Sequence, residues 1–287
     1  MCRMIFFCSK ESIASNELST MINPFIKSWV NATSNDHIFF DFKKVSQHDD
    51  GWGSYQHFTT SDDKEHMSLI KSSNPAFTEN HDFKISFDLI NNFILLNHAR
   101  KASKSMPISL NQNHPFINES GTFVFVHNGT LNKEAILKLL ETKPKLVDNL
   151  SDTQLLFSLI KERFSETMNQ EELFTNWKIL VTELKKIHLE KKKAYSMNFL
   201  FLIKRHDTKS FNLLYSSLFS NIAGEHYYRL YQGTDNNQVF ISSSTVFDYY
   251  EEDFGDFKNK WVINSLANGT IGFIDTTTLE IKTAIIS

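Results

Sequence analysis

The order of strand-like and helix-like segments is the feature that most limits the folds open to this chain. Apolar runs rich in β-forming residues begin at residues 2–8 and recur up to residue 127, interrupted by one helical stripe at 16–30. Helical patterns fill much of residues 133–189, and strand-like runs return from residue 199 onward. Strands grouped before and after a block of helices favour sheets with helices layered on them over alternating βαβ units. The sequence therefore predicts an α+β fold.

Local signals give approximate bounds to the main elements. The predicted helices are 16–30, 133–140, 152–164 and 177–189, and the predicted strands are 2–8, 54–58, 93–98, 122–127, 199–204, 210–215, 238–243, 270–275 and 280–286. The helix at 152–164 has the clearest start, because Ser151 and Gln154 have the spacing of a capping box. With no clear linker, internal repeat or low-complexity segment, residues 1–287 are expected to form a single domain.

Charge and composition exclude several classes of function. Thirty basic against 33 acidic residues, mixed along the chain, leave a net charge of −3, so no nucleic-acid partner is expected. No apolar stretch approaches the ~20 residues needed to span a bilayer, and the N-terminus lacks the pattern of a signal peptide. We therefore expect a cytoplasmic protein with no membrane partner, in which Cys2 and Cys8 are free thiols.

The eleven histidines raise the question of a metal site. None of the spacings typical of zinc sites on a helix occurs, and no cysteine pair supports one, so we expect neither a metal nor another cofactor. His98, His114 and His127 lie beside the motifs described below. We interpret them as hydrogen-bonding residues that shape a site.

The Met-Cys start of the chain has both a functional and an ordinary interpretation, and the functional one is an N-terminal nucleophile. Aminopeptidases remove Met before a small residue, which would leave Cys2 with a thiol and a free α-amine on one residue. The reference pKa is about 7.7–8.0 for the amine and about 8.5 for the thiol, so near neutral pH part of the amine can accept the thiol proton. The alternative is an ordinary small residue near a terminus.

Three further positions have both a functional and a structural interpretation. Arg100 follows a strand, where its planar fork could bind a carboxylate, or it could be a surface arginine. Asn128 and Gly129 could donate hydrogen bonds to a tetrahedral oxyanion, or form the tight turn of a hairpin. Asp152 could hold a substrate ammonium group, or simply favour the start of a helix.

The order of these motifs resembles that of a known family. They are Met-Cys-Arg at residues 1–3, DDGWG at 49–53, NHARKAS at 97–103, NQNHPF at 111–116, VHNGTL at 126–131 and SDTQLLF at 151–157. Together they resemble the class II glutamine amidotransferases, and most of all the stand-alone branch that includes the amidase subunit of glutathione degradation, the YafJ-type proteins and the γ-glutamyl hydrolase of ergothioneine synthesis. The motifs cover residues 2–160, and residues 161–287 match more loosely and would complete the sheets.

The resemblance implies a fold and a catalytic centre. The fold is the four-layer αββα sandwich of N-terminal nucleophile hydrolases, with two antiparallel sheets between helical layers. Cys2 would be the nucleophile and its α-amine the proton acceptor. Asn128 and Gly129 would form the oxyanion hole.

The resemblance also implies a glutamyl pocket. Arg100 would bind the α-carboxylate of the glutamyl group and Asp152 its α-ammonium. Ser103 stands where the family has a Thr or Ser that contacts the carboxylate, and His114 and Trp52 would support the pocket.

Some positions depart from the family pattern. Lys101 replaces an aromatic or small residue after the arginine, and Lys104 and Ser105 replace a position that is often small, so the rim of the pocket is expected to differ. Gln154 replaces a Glu, which still permits the capping box.

The resemblance implies hydrolysis of the side-chain amide of glutamine or of a γ-glutamyl compound, through a γ-glutamyl thioester on Cys2. The partner would then be a small molecule. Two alternatives stay open: a glutaminase subunit that supplies ammonia to a separate synthase, and a non-catalytic regulatory homologue. A partner enzyme subunit or a homo-oligomer is compatible with each of these functions.

Overall fold

The computed structural model describes residues 2–102, 106, 108–206, 208–221, 224–254 and 260–286. Its helices are α1 (Ser15–Ser34), α2 (His37–Lys43), α3 (Lys133–Leu139), α4 (Asp152–Arg163), α5 (Gln170–Glu190), α6 (Glu225–Tyr228) and α7 (Ser244–Asp253). Its strands are β1 (Arg3–Ser9), β2 (Ile13–Ala14), β3 (Trp52–Thr60), β4 (Glu65–Ser72), β5 (Leu89–Ala99), β6 (Phe116–Ile117), β7 (Phe123–Thr130), β8 (Ser196–Lys204), β9 (Phe211–Ser217), β10 (Leu230–Thr234), β11 (Gln238–Ser243), β12 (Val262–Ser265), β13 (Thr270–Asp275) and β14 (Ile281–Ile285).

The chain divides into two compact units, and neither is a continuous stretch of sequence. The first is made of Met1–Pro115, His226–Leu266 and Thr276–Leu279, and the second of Phe116–Glu225, Ala267–Asp275 and Glu280–Ser287. The chain therefore passes from one unit to the other several times. The single domain expected for residues 1–287 stays a prediction.

The first unit contains an antiparallel sheet in the order β12-β10-β11-β1-β5-β3-β4, with β2 also paired to β5. Every residue of β1 is buried, as expected for a central strand. Helices α1 and α7 pack on one face of this sheet, where Phe7, Phe25, Trp29 and Tyr250 belong to one core. β1 therefore holds the start of the chain in the middle of the sheet.

The second unit contains an antiparallel sheet in the order β14-β13-β9-β8-β7-β6. Helices α4 and α5 cover one face, and Leu155, Leu159, Trp177 and Phe199 are members of the core between them. Each unit thus supplies one helical layer and one sheet. The α+β class and the two antiparallel sheets with their helical layers are confirmed.

Most predicted elements are present, with differences at their ends. β11 and β13 have the predicted bounds, and both hydrogen bonds of the capping box at Ser151 and Gln154 are present at the start of α4. α5 begins seven residues before the predicted start, because Asn169 and Glu172 form a second capping box. The sequence interpretation missed α2, α6, α7, β2, β4, β6, β10 and β12.

Candidate active site

Cys2 lies directly before the first residue of β1 and is 6% exposed. The register of β1 and β5 pairs Arg3 with Ala99, which puts Cys2 opposite Arg100. The backbone of Arg100 also pairs on its other side, since its N–H donates to the Gly51 carbonyl at 2.8 Å. Because side chains alternate along strands, Cys2 and Arg100 share the face of the sheet that is turned away from α1. The structure therefore brings together two residues that the sequence placed almost a hundred positions apart.

The surroundings of Cys2 favour its thiolate. Burial alone would raise the pKa of the thiol. The His98 imidazole, the positive charge of the chain terminus, and hydrogen bonds from His98 and the Lys101 backbone together outweigh burial and lower the pKa to about 6. The thiolate is the nucleophilic form of cysteine. A large share of Cys2 is therefore in its reactive form at neutral pH.

His98 and His114 form a buried pair beside Cys2. Nδ1 of His114 lies 2.9 Å from Nε2 of His98, and the ring centroids are 4.1 Å apart in an edge-to-face arrangement. The segment that carries His114 passes directly over β3 at Gly53, where a Cβ would overlap the His114 carbonyl oxygen. The glycine of the DDGWG motif thus permits this close approach.

The acidic pair of the same motif holds the loop after Arg100. Lys101 forms an ion pair with Asp49 and lies 3.5 Å from a carboxylate oxygen of Asp50. Asp50 also accepts a hydrogen bond from the Ala102 backbone N–H at 2.8 Å. Lys101 departs from the family pattern, and its positive charge is therefore balanced by two carboxylates of the same unit.

A buried ionic network lies directly next to Cys2, and the sequence interpretation did not foresee it. Nε of Arg3 contacts Asp36 at 2.5 Å, and the same carboxylate accepts a hydrogen bond from His48 at 2.7 Å. Thr245 links the two charged groups, accepting from Arg3 and donating to Asp36 at 2.7 Å each. The charges hold the pKa of Asp36 far below its usual range. A charged residue inside the apolar run at 2–8 was the available signal.

His48 gives this network a dependence on pH. Burial lowers the pKa of His48 to about 4, against the opposing effect of the hydrogen bond that His48 donates to Asp36. A histidine whose folded pKa lies below its unfolded value of about 6.5 contributes stability above pH 6.5 that is lost as the pH falls toward 4. We expect this residue to lower the free energy of unfolding by about 3 kcal/mol between pH 7 and pH 4.

Urea denaturation at a series of pH values measures this effect. His48→Gln keeps a hydrogen-bond donor for Asp36 but does not titrate, so its free energy of unfolding should fall less steeply with pH than that of the wild type. Equal slopes in the two proteins would contradict the role given to His48.

Trp52 is buried on the opposite face from Cys2. It pairs with Ala99 in the register of β3 and β5, packs edge-on against Trp29 at 6.3 Å, and donates a hydrogen bond from Nε1 to Glu79. Trp52 could therefore affect a pocket on the Cys2 face only by positioning the backbone of β3.

In the second unit, Asn128 and Gly129 lie inside β7, where they pair with Asn198 and Met197 of β8. The tight-turn alternative for this dipeptide is therefore wrong. Asn128 is fully buried, and its carbonyl oxygen accepts a hydrogen bond from Ser196 Oγ at 3.3 Å. A Cβ on Gly129 would overlap the Ser196 carbonyl oxygen, so this position requires glycine.

His127 and Asp152 tie the end of β7 to the start of α4. His127 contacts Thr153 Oγ1 at 3.0 Å and the Ser196 carbonyl oxygen at 2.9 Å through its two ring nitrogens. The Asp152 carboxylate accepts hydrogen bonds from the backbone N–H groups of Leu131 at 2.7 Å and Thr153 at 2.8 Å. These contacts fix the carboxylate at the positive end of the helix.

The remaining expectations concern single residues and ligands. Ser103, Lys104 and Ser105 lie outside the described residues. Within the described part of the chain, no three His, Cys, Asp or Glu residues are grouped so that they could hold a metal ion. No helix formed by the described residues is long and apolar enough to cross a membrane.

Comparisons with known proteins bear on the family. The family model of class II glutamine amidotransferases matches residues 34–201, which is more than half of the chain. The chain is also similar to the 2.0 Å crystal structure of a predicted glutamine amidotransferase from Pseudomonas aeruginosa PA01, with 15% sequence identity, a TM-score of 0.39, and coverage of 98% of this chain and 95% of that chain. No curated protein matches the chain. On the extent of the family match, the chain belongs to the class II glutamine amidotransferases.

Proposed function

We propose that this protein is a cytoplasmic amidohydrolase that cleaves the side-chain amide of glutamine or of a γ-glutamyl compound through a γ-glutamyl thioester on Cys2. The observation that carries the proposal is the buried thiol with a pKa lowered to about 6, held opposite Arg100 at the centre of a sheet. A buried cysteine with no chemical role ordinarily has a raised pKa. The family membership supports the same reaction class.

The first step forms the thioester. After removal of Met1, the Cys2 thiolate attacks the γ-carbonyl carbon, and the oxygen becomes an oxyanion that Asn128 and Gly129 would stabilise by hydrogen bonds. The carbon–nitrogen bond then breaks, and the leaving nitrogen takes a proton from the α-ammonium group of Cys2. Ammonia or an amine departs, and the glutamyl group stays on sulfur.

The second step hydrolyses the thioester and regenerates the free enzyme. The α-amine, now neutral, accepts a proton from water as the water oxygen attacks the thioester carbon. The carbon–sulfur bond breaks, glutamate is released, and the thiolate is restored. One residue thus supplies both the nucleophile and the group that moves the proton.

Arg100 and Asp152 are proposed to recognise the glutamyl end of the substrate. A lost charge-assisted hydrogen bond costs about 1.5–3 kcal/mol, so Arg100→Ala and Asp152→Asn should each raise KM by roughly 10- to 150-fold. Steady-state kinetics on glutamine and glutathione measures the change. Arg163→Ala is the matched control, because it removes a half-exposed arginine that pairs with Glu183 on the helix surface. Unchanged KM values in both site variants would refute the substrate clamp.

A substrate panel tests the proposal itself. The purified protein, shown by mass spectrometry to begin at Cys2, is incubated with glutamine, glutathione, other γ-glutamyl peptides and asparagine, and the release of glutamate is measured. We expect glutamate to be released from one or more of the γ-glutamyl compounds. We expect no hydrolysis of asparagine. Ammonia released only after a copurifying synthase is added would indicate the glutaminase subunit. No release under either condition would contradict the hydrolase and indicate the regulatory homologue.

A further inference from the structure

His98 shares the sheet face of Cys2 and Arg100. It pairs with Met4 of β1 on one side and with Gly53 of β3 on the other, one row of the sheet away from Cys2. Diagonal neighbours on one face of an antiparallel sheet lie within reach of long side chains. The His98 side chain accordingly hydrogen-bonds to the Cys2 thiol.

His114 fixes the protons of His98. An imidazole that is neutral has one donor and one acceptor nitrogen, and the hydrogen bond at one nitrogen decides the role of the other. The 2.9 Å contact between His114 Nδ1 and His98 Nε2 requires a donor on one side and an acceptor on the other. With His114 Nδ1 as the acceptor, a neutral His98 carries its proton on Nε2, and its Nδ1 is left to accept a proton from the thiol. His98 is fully buried and His114 nearly so, which keeps water out of this exchange.

We propose that His98, backed by His114, holds the proton of the Cys2 thiol, so that the thiolate is formed before substrate arrives and the Cys2 α-amine is left to serve the leaving group and the water. This inference rests on the proposed function. The proton moves from Sγ to the imidazole of His98, giving a thiolate–imidazolium pair. His98 then keeps this proton through both steps, while the proton that the leaving nitrogen takes is replaced from water.

Other groups on this face determine how firmly the proton is held. Arg100 is the next residue on the same face of the chain, and Lys71 of β4 pairs with Gly53 in the row of His98. Burial lowers the pKa of Lys71 to about 8, so at pH 7 Lys71 still carries most of its positive charge and opposes a second positive charge on His98. Tyr55 lies on the same face and stays neutral, because burial raises its pKa.

The charges of the neighbouring loop and strand complete this environment. Lys101 is balanced by Asp49 and Asp50, and β11 contributes Ser243, which accepts from the Met4 N–H and does not titrate. The imidazolium is thus stabilised chiefly by the thiolate against it. Removing the thiol should therefore also remove the positive charge on His98.

The rate of alkylation of Cys2 by iodoacetamide, followed over pH by mass spectrometry of the N-terminal peptide, tests the inference without any glutamyl substrate. The wild-type midpoint should lie near pH 6. In His98→Asn it should rise by about two pH units, because burial then acts without the imidazolium, and in His114→Asn by less. His37→Asn, which alters a half-exposed histidine on α2, should leave the midpoint unchanged.

A second measurement avoids altering His98. Nitrogen NMR of the His98 ring at pH 7 should show an imidazolium in the wild type and a neutral ring in Cys2→Ala. A midpoint in His98→Asn within about 0.3 pH units of the wild type, in a folded protein, would overturn the inference, as would a neutral His98 in the wild type. Because alkylation needs no glutamyl compound, a failed substrate panel would refute the hydrolase and leave this result to be judged separately.

Discussion

Cys2→Ala is expected to reduce kcat for glutamyl hydrolysis by roughly 10⁴- to 10⁶-fold, the scale seen when a covalent nucleophile is removed. The reason is that no acyl-enzyme can form, and binding and the oxyanion donors alone leave only a small residual rate. The fold should persist, because the substitution removes only the Sγ atom and alanine fills most of the same volume. Steady-state release of glutamate, together with circular dichroism, measures both expectations.

Cys8 offers a matched control for this prediction. It lies in β1, six residues after Cys2 and on the same face of the sheet, and is fully buried, yet it has no role in the proposed chemistry. Cys8→Ala should therefore keep near wild-type kcat while carrying a comparable structural change. A Cys2→Ala protein whose kcat stays within tenfold of the wild type would show that another group is the nucleophile.

Arg3→Met is expected to lower the free energy of unfolding by about 3–5 kcal/mol, the typical cost of breaking a buried ion pair. Arg3 and Asp36 are both fully buried, so the substitution would leave the Asp36 carboxylate in the protein interior without its cation. Only His48, Thr245 and a backbone N–H would remain to stabilise it. Chemical denaturation followed by fluorescence measures the change.

Two further variants separate this ion pair from general damage. The double variant Arg3→Met with Asp36→Asn removes both charges and should recover part of the lost stability. Arg163→Met breaks a half-exposed pair on α4 and should cost less than about 1 kcal/mol. An Arg3→Met protein as stable as Arg163→Met would contradict the account of the network.

This network matters to the site because chain termini are ordinarily mobile unless they are tied down. Arg3 holds the backbone next to Cys2 through its side chain, and its carbonyl oxygen accepts a hydrogen bond from Trp29 Nε1 at 3.2 Å. The central position of β1 in its sheet adds a partner strand on each side. Cys2, the proposed nucleophile, can therefore keep a fixed position next to Arg3.

The sequence was most informative where a signal is local. The bounds of β11 and β13 and the capping box of α4 follow from alternation and from residues three apart, and all three were predicted. α7 was missed because it starts directly after β11, in a run of serines that continues the strand pattern. β4, at the sheet edge, has partly exposed side chains on both faces and lacks a clear alternation.

The site shows the same division between local and distant information. Cys2 and Arg100 were selected by motif order, and the sheet register then placed them opposite one another. Asn128 and Gly129 could not be told from a hairpin turn locally, because the strand that pairs with them lies about seventy residues later. Contacts of this kind depend on the tertiary fold.

The chain after the family match completes both sheets. β10 and β11 pair beside β1 in the first unit, and β13 and β14 extend the sheet of the second unit beyond β9. The hydrogen bonds along one edge of β1 thus come from a strand more than two hundred residues away in sequence. Residues 161–287, which match the family motifs loosely, therefore supply the strand that pairs with β1 next to the proposed nucleophile.

The most direct test of the account is to trap its covalent intermediate. Protein that begins at Cys2 is mixed with isotopically labelled glutamine or glutathione, quenched in acid within milliseconds to seconds, and analysed by peptide mass spectrometry. The proposed mechanism predicts a labelled glutamyl group on the N-terminal peptide, attached to Cys2, lost on treatment with hydroxylamine, and absent from Cys2→Ala. Glutamate release by wild-type protein with no label on Cys2 at any quench time, or a label retained in Cys2→Ala, would contradict it.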